Sequence, residues 1–209
     1  ENMTGLTANV YKDGERIRSQ FIDNRDGLCG AITFATLLRT QLPFLTGNQI
    51  IGDLDAAGVQ TNWTGQVNIE AMATHFLWSA IRTTPSGTAL TLNGESYTRR
   101  DKLLGYIKSN WIPIIGLKTD HGYVERNGTT THWIGVVGIG VKSNNWFIYI
   151  YNPVDDRVKK YQWETFYGYL SREWTSPGDK TKTKYYHNML VLVKPPAVRE
   201  PWQISTFMY

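Results

Sequence analysis

Cysteine is the scarcest chemistry in this chain, with one residue, Cys29, in 209. A single thiol excludes an internal disulfide and any cysteine-rich zinc site, and it leaves the redox compartment and the localisation open. Histidine is scarce too. There are four (His75, His121, His132 and His187), no two of them close in sequence beside a carboxylate, so neither a metal nor another cofactor is expected. Long apolar runs are missing: none approaches the ~20 residues of a membrane-spanning helix. A strong charge of one sign is missing as well. The formal charge is +4 and the pI about 9.1, with the basic residues spread along the chain apart from 180–184, so no nucleic-acid groove is expected. Internal repeats and low-complexity tracts are absent.

What remains is a globular composition, 41% hydrophobic and 19% charged. The length suits one well-buried domain over 1–209, and it is equally compatible with one domain of a larger protein. Three parts are expected: a helical part over about 17–110, a β-rich part over about 111–195, and a tail over 196–209. A lead-in over 1–22 is followed by a helix from Cys29 to Leu42, stopped by Pro43. Residues 43–65 read as a loop. A second helix starts at an Asn68 cap and carries Ile69, Met72, Ala73, Phe76, Leu77 and Ala80 on one stripe. Residues 83–96 read as a polar connection. Thr98 and Asp101 have the form of a capping box for a short third helix with Leu103, Leu104 and Ile107.

From Trp111 the pattern turns to strands. Residues 112–117 form a short apolar run, which Pro113 places at an edge or a strand start. Runs over 133–141 and 146–151 flank Lys142-Ser143-Asn144-Asn145, a hairpin signature. Residues 153–157 read as a turn. Trp163, Phe166, Tyr167 and Leu170 suggest a turn or two of helix, and 189–193 a last strand ended by Pro195-Pro196. Helices first and strands second is the α+β order.

The chain is organised around residues 26–38. Ala31, Phe34, Ala35, Leu38 and Leu42 recur at helical spacing, and Ile32 and Leu37 make the other side apolar too, so the helix is expected to be buried nearly all round. Cys29 then falls at the N-terminal end, where unpaired backbone N–H groups and the helix dipole favour an anion. Most free cysteines are small buried hydrophobes. Gly27 and Gly30 on either side argue instead for close backbone approach, and so for a nucleophile, provided a histidine is at hand.

His132 is the best candidate, because it opens the most apolar strand and can be fixed by the sheet while facing a cleft. His121 lies in the preceding loop and stands second, as a lid residue. His75 falls off its helical stripe and reads as a surface residue, and His187 as structural. A catalytic imidazole needs an acceptor on its second nitrogen. His132, Ile134 and Val136 share one parity, and Ile148, Ile150 and Asn152 another. If both apolar sets face one core, Asn152 shares the face of His132, which requires an odd-length hairpin loop or a bulge. Asp155 then lies in a solvated turn beside Arg157. An even loop centred between Ser143 and Asn144 sets Asp155 opposite His132 instead.

These residues resemble the papain-like cysteine peptidases, and among them the C39-like branch. The likeness rests on Cys29-Gly30 at a helix start, the strand Ile112-Pro113-Ile114-Ile115, the segment His132-Trp133-Ile134-Gly135-Val136-Val137-Gly138-Ile139, and a strand ending in Asn152-Pro153; it covers roughly 17–170 in order. The resemblance implies an α+β papain-like fold, with a helical lobe whose nucleophile helix packs on an antiparallel sheet. It also implies a thiol hydrolase that cleaves peptide bonds through a thioester, with a peptide or protein as its partner. Cys29 would be nucleophile, His132 general base and acid, and Asn152 the orienting residue. The usual oxyanion-hole glutamine, six residues before the cysteine, is Asp23 here; Gln20 takes that role, with Asn24 as the alternative. The same parts fit an amidase of cell-wall peptides, and the altered spacing fits a catalytically silent binding module that keeps the fold.

Overall fold

The segments 112–117, 133–141 and 189–193 are apolar at odd and even positions alike, which suits a strand whose sheet is covered on both faces. The computed structural model describes residues 2–5, 27–39, 41–42, 44–61, 68–83, 85–86, 89–92, 95–96, 100–170, 173–174, 185–186 and 189–196. In chain order the helical half holds β1 (Asn2–Gly5), α1 (Cys29–Leu38), α2 (Gly47–Ala56), α3 (Ile69–His75), β2 (Ser79–Thr83), β3 (Pro85–Ser86), β4 (Ala89–Leu92), β5 (Glu95–Ser96) and α4 (Arg100–Lys108). The β-rich half holds β6 (Ile112–Thr119), β7 (Thr130–Lys142), β8 (Asn145–Asn152), β9 (Arg157–Gln162), α5 (Trp163–Leu170), β10 (Glu173–Trp174), β11 (Tyr185–Tyr186) and β12 (Met189–Lys194).

The main sheet is antiparallel, in the order β2-β12-β6-β7-β8-β9. One edge of the long β7 is shared: β6 pairs with its first half and β1 with residues 138–141. The three apolar segments lie in β6, β7 and β12, inside this sheet. Helices α1, α2 and α3 cover one face, with Trp133, Val137, Tyr149 and Tyr151 beneath them. Helices α4 and α5 cover the other, over Ile134, Val136, Ile139, Ile148 and Ile150. The α+β class stands. The helical half, however, is not a single lobe, because α4 lies across the sheet from α1.

Several boundaries differ from the sequence reading. Helix α1 is buried all round as expected, from Gly30 to Leu38, but ends at Leu38 and not Leu42. There the chain tightens into a turn, with the N–H groups of Gln41 and Leu42 both donating to the Leu38 carbonyl. Residues 47–56 are helical, not loop. A reciprocal capping box between Thr46 and Gln49 starts α2, and burial of Ile50 and Leu54 outweighs the low propensity of Gly47 and Gly52.

Helix α3 has the Asn68 cap but stops at His75. Leu77 adopts a left-handed φ of 64° and is 78% exposed, and Ala80 belongs to β2, so half of the apparent stripe is not helical. Residues 85–86, 89–92 and 95–96 are short strands, and 157–162 is the edge strand β9. That strand escaped notice because Val158 is its one fully buried residue. Pro113 sits in an interior strand, opposite Leu192, tolerated as the second residue of β6. Thr98, the 180–184 run and the tail beyond residue 196 lie outside the described residues.

Candidate active site

The hairpin β7–β8 decides which side chain meets His132. Its turn is Ser143-Asn144, both left-handed with φ of 49° and 63°, the two-residue type whose twist matches that of paired strands. An even loop would run the pairing straight through from Lys142↔Asn145 and set His132 against Asp155. The register instead shifts between Val136 and Gly138, leaving Val137 as an extra residue. Beyond it the pairs are Val136↔Ile150 and Gly135↔Tyr151. Val136 and Ile139, three apart, therefore both reach the core under α4 and α5, and His132 acquires the face of Asn152. Of the two devices that parity allowed, the chain uses the bulge.

His132 and Asn152 are both buried and are joined at 2.7 Å, imidazole Nε2 to amide Oδ1. The rest of the Asn152 amide defines the proton's place. Its Oδ1 also accepts from the Val154 N–H at 3.1 Å, and its Nδ2 donates to the Gly122 carbonyl at 3.0 Å. The oxygen therefore faces donors only, so the neutral imidazole carries its proton on Nε2 and keeps Nδ1 as its acceptor. Gly122 completes the clamp. It has a φ of 80°, and a Cβ there would lie 3.1 Å from His132 Cε1 and 3.0 Å from Val154. Its N–H donates to Thr119 Oγ1 at 3.1 Å, tying the loop to the end of β6.

Cys29 is the first residue of α1, after Gly27 in a left-handed turn, and is partly exposed. Its sulfur lies against the backbone amide of Trp133, the residue after His132. The helix is carried to that position by two hydroxyls. Thr33 donates to the Trp133 carbonyl at 3.3 Å, and Thr36 to the Tyr151 hydroxyl at 3.2 Å, which in turn donates to Asp156. Gly135 lets the helix approach, since a Cβ there would meet Leu37 and Thr33 at 3.2 and 3.3 Å.

Burial pushes the Cys29 thiol up, against the pull of the backbone amides of Trp133, Gly30 and Cys29 itself. Burial also pushes His132 down, against the Asn152 bond and the charge of Asp155. Both therefore rest neutral near pH 7.

Asp155 lies in the turn 153–156 as expected, but it is not solvated. Its carboxylate is three-quarters buried and paired to Lys159 at 2.9 Å. His121, next to Gly122, has a largely exposed side chain beside Asp120, and His75 is a surface residue paired with Asp53 of α2 at 2.9 Å. Gln20, Asn24 and Asp23 lie outside the described residues, as does His187. Gly122, Val154 and Thr119 went unread in the sequence. The available signal was Asp120-His121-Gly122-Tyr123, a turn placed just before the histidine's strand. Among the described residues no group of three or more metal-ligating side chains occurs, and no helix is long and apolar enough to cross a membrane. No protein-family model matches this chain, and no characterised protein matches it in sequence.

Proposed function

We propose that the protein is a papain-like cysteine peptidase with Cys29 as nucleophile, His132 as general base and acid, and Asn152 as the residue that orients the ring. The observation carrying this is the buried His132–Asn152 bond. It leaves Nδ1 as acceptor in an imidazole one strand residue from the amide on which the Cys29 sulfur rests. Nδ1 takes the thiol proton as sulfur attacks a substrate carbonyl carbon. The carbonyl electrons move to oxygen, where the Cys29 backbone N–H and an amide from Gln20 or Asn24 would hold the oxyanion. Collapse expels the amine, which takes its proton from His132 and leaves a thioester on Cys29. Water, deprotonated by His132, then releases the acid and restores the thiol.

A catalytically silent module of the same fold has one observation in its favour, the burial that keeps the Cys29 thiol protonated. Digestion of a proteome-derived peptide library tests the proposal: cleavage by the protein, lost in Cys29→Ala with the circular dichroism unchanged, is the expected result. Cleavage of cell-wall muropeptides alone would assign an amidase. No cleavage, with Cys29 alkylated by iodoacetamide no faster than free cysteine, would assign the silent module.

A further inference from the structure

Next to the clamp stands a carboxylate that the mechanism above does not use. Asp155 follows Val154, whose N–H caps Asn152 Oδ1 and whose side chain borders the Gly122–His132 contact. One carboxylate oxygen, Oδ2, is held by Lys159 at 2.9 Å. The other, Oδ1, is shut off from solvent and meets no hydrogen-bond donor among the described residues. A buried carboxylate oxygen without a donor is offset by a positive charge within reach. Lys159 is one such charge, shared with Glu125 at 3.8 Å.

We propose that Asp155 is a positioning residue that acts through His132, holding positive charge on the imidazole across space while Asn152 holds its orientation, and that Lys159 sets how strongly it does so. The role rests on the catalytic reading of His132. The groups around this pair are few. Lys159 and Tyr161 face Asp155 from β9, and Tyr123 and Glu125 face Lys159 from the loop before β7. Tyr161 stays protonated, because burial and its bond to Glu125 raise it well beyond the ordinary phenol range. Its hydroxyl thus adds no charge. On His132, burial favours the neutral ring, and the Asn152 bond and the charge of Asp155 oppose it. Lys159 is itself pulled down by burial, but its bond to Asp155 and the surrounding charges lift it above the ordinary lysine value, so it remains a cation throughout the range in which histidine titrates.

Two substitutions should move the imidazole in opposite directions. Asp155→Asn keeps the shape and removes the charge; Lys159→Met keeps Asp155 and removes its counter-charge. The measurement is an NMR titration of the His132 ring in the whole chain, read beside the pH profile of kcat/KM. In Asp155→Asn the titration midpoint is expected to fall by about half a pH unit or more, and in Lys159→Met to rise by a similar amount. The acid limb of the activity profile, set by protonation of the base, should follow the same two directions. Midpoints that stay put in either folded variant, or move the same way in both, overturn the proposal. If Asp155→Asn does not fold, Lys159→Met alone decides it. Because the titration reads the ring and not turnover, a protein that cleaves nothing but shows the opposed shifts would sink the peptidase reading and leave only the charge coupling of Asp155 to His132.

Discussion

Asn152 spends its amide on three partners at once, the imidazole, the Val154 N–H and the Gly122 carbonyl, and so fixes a ring, a turn and a loop together. Replacing it with alanine frees the ring and leaves a buried carbonyl and N–H unmet. Asn152→Ala is therefore expected to lower kcat by about tenfold or more, a share of what a well-placed acid–base group contributes. Asp155→Ala, compared at each variant's own pH optimum, should lose less, because charge at a distance does not orient the ring; a larger loss for Asp155→Ala would reverse the two roles. Gly122 tests the clamp from its other side. Gly122→Ala places a methyl against His132 Cε1 and Val154 at a φ of 80°. It should destabilise the fold by about 1–3 kcal/mol in urea titration and lower activity as well. At this scale the sequence favoured Asn152 over Asp155 as the partner of His132, through the shared parity of the apolar residues, and the bulge at Val137 decided it. The Gly122 clamp was not legible, since nothing in a polar loop says which carbonyl an amide thirty residues away will choose.

Among the elements, α1 and β7 carry the site, and their join is made by few polar atoms in an apolar interface. Phe34, Leu37 and Leu38 are fully buried, and each such side chain contributes about 1.5–3 kcal/mol to holding the helix on the sheet. Such burial does not choose the helix's position along β7. Directional bonds do: Thr33 on Trp133 and Thr36 on Tyr151. Tyr151→Phe removes the hydroxyl between Thr36 and Asp156 and leaves the buried Thr36 hydroxyl without it. A loss of about 1–3 kcal/mol in urea midpoint is expected, with a fall in kcat as Cys29 loosens from Trp133. A Tyr151→Phe protein of unchanged stability and activity would mean that apolar packing alone positions α1. The bulge at Val137 is the other device at this scale, since it turns an even, twist-matched hairpin loop into the parity that His132 needs.

For the molecule as a whole, His132 and Cys29 each contribute to how stability responds to pH. His132 is held below the ordinary histidine value, near 6.5, because burial penalises its charged form. The sign follows: the unfolded chain binds that proton more readily, so this contribution is complete above about pH 6.5 and is lost as pH falls through the folded value. Cys29, held above the ordinary thiol value of about 8.5, contributes in full below that value and loses its share as pH rises through the folded one. Urea midpoints measured from pH 7 down to pH 5 should therefore fall further for the wild type than for His132→Gln. Equal slopes would mean that the ring is solvated and not buried.

The sequence by itself determined what depends on near neighbours. It contained the all-round burial of α1, the apolar strands 112–117, 133–141 and 189–193, the Asn68 cap, and the apolar parity that favours Asn152 over Asp155. Periodicity and capping are written within a few residues, and burial follows from them. Only the tertiary structure decided between an odd loop and a bulge, because either satisfies the same parity and the choice rests on how Val137 packs under α1–α3 while Val136 and Ile139 pack under α4 and α5. It alone ended α3 at His75, where Trp78 and β2 claim the residues that a helical stripe would have continued into, and it alone put α4 across the sheet from α1. Those outcomes turn on competition among segments far apart in the chain for two faces of one sheet, and no local pattern records which of them wins.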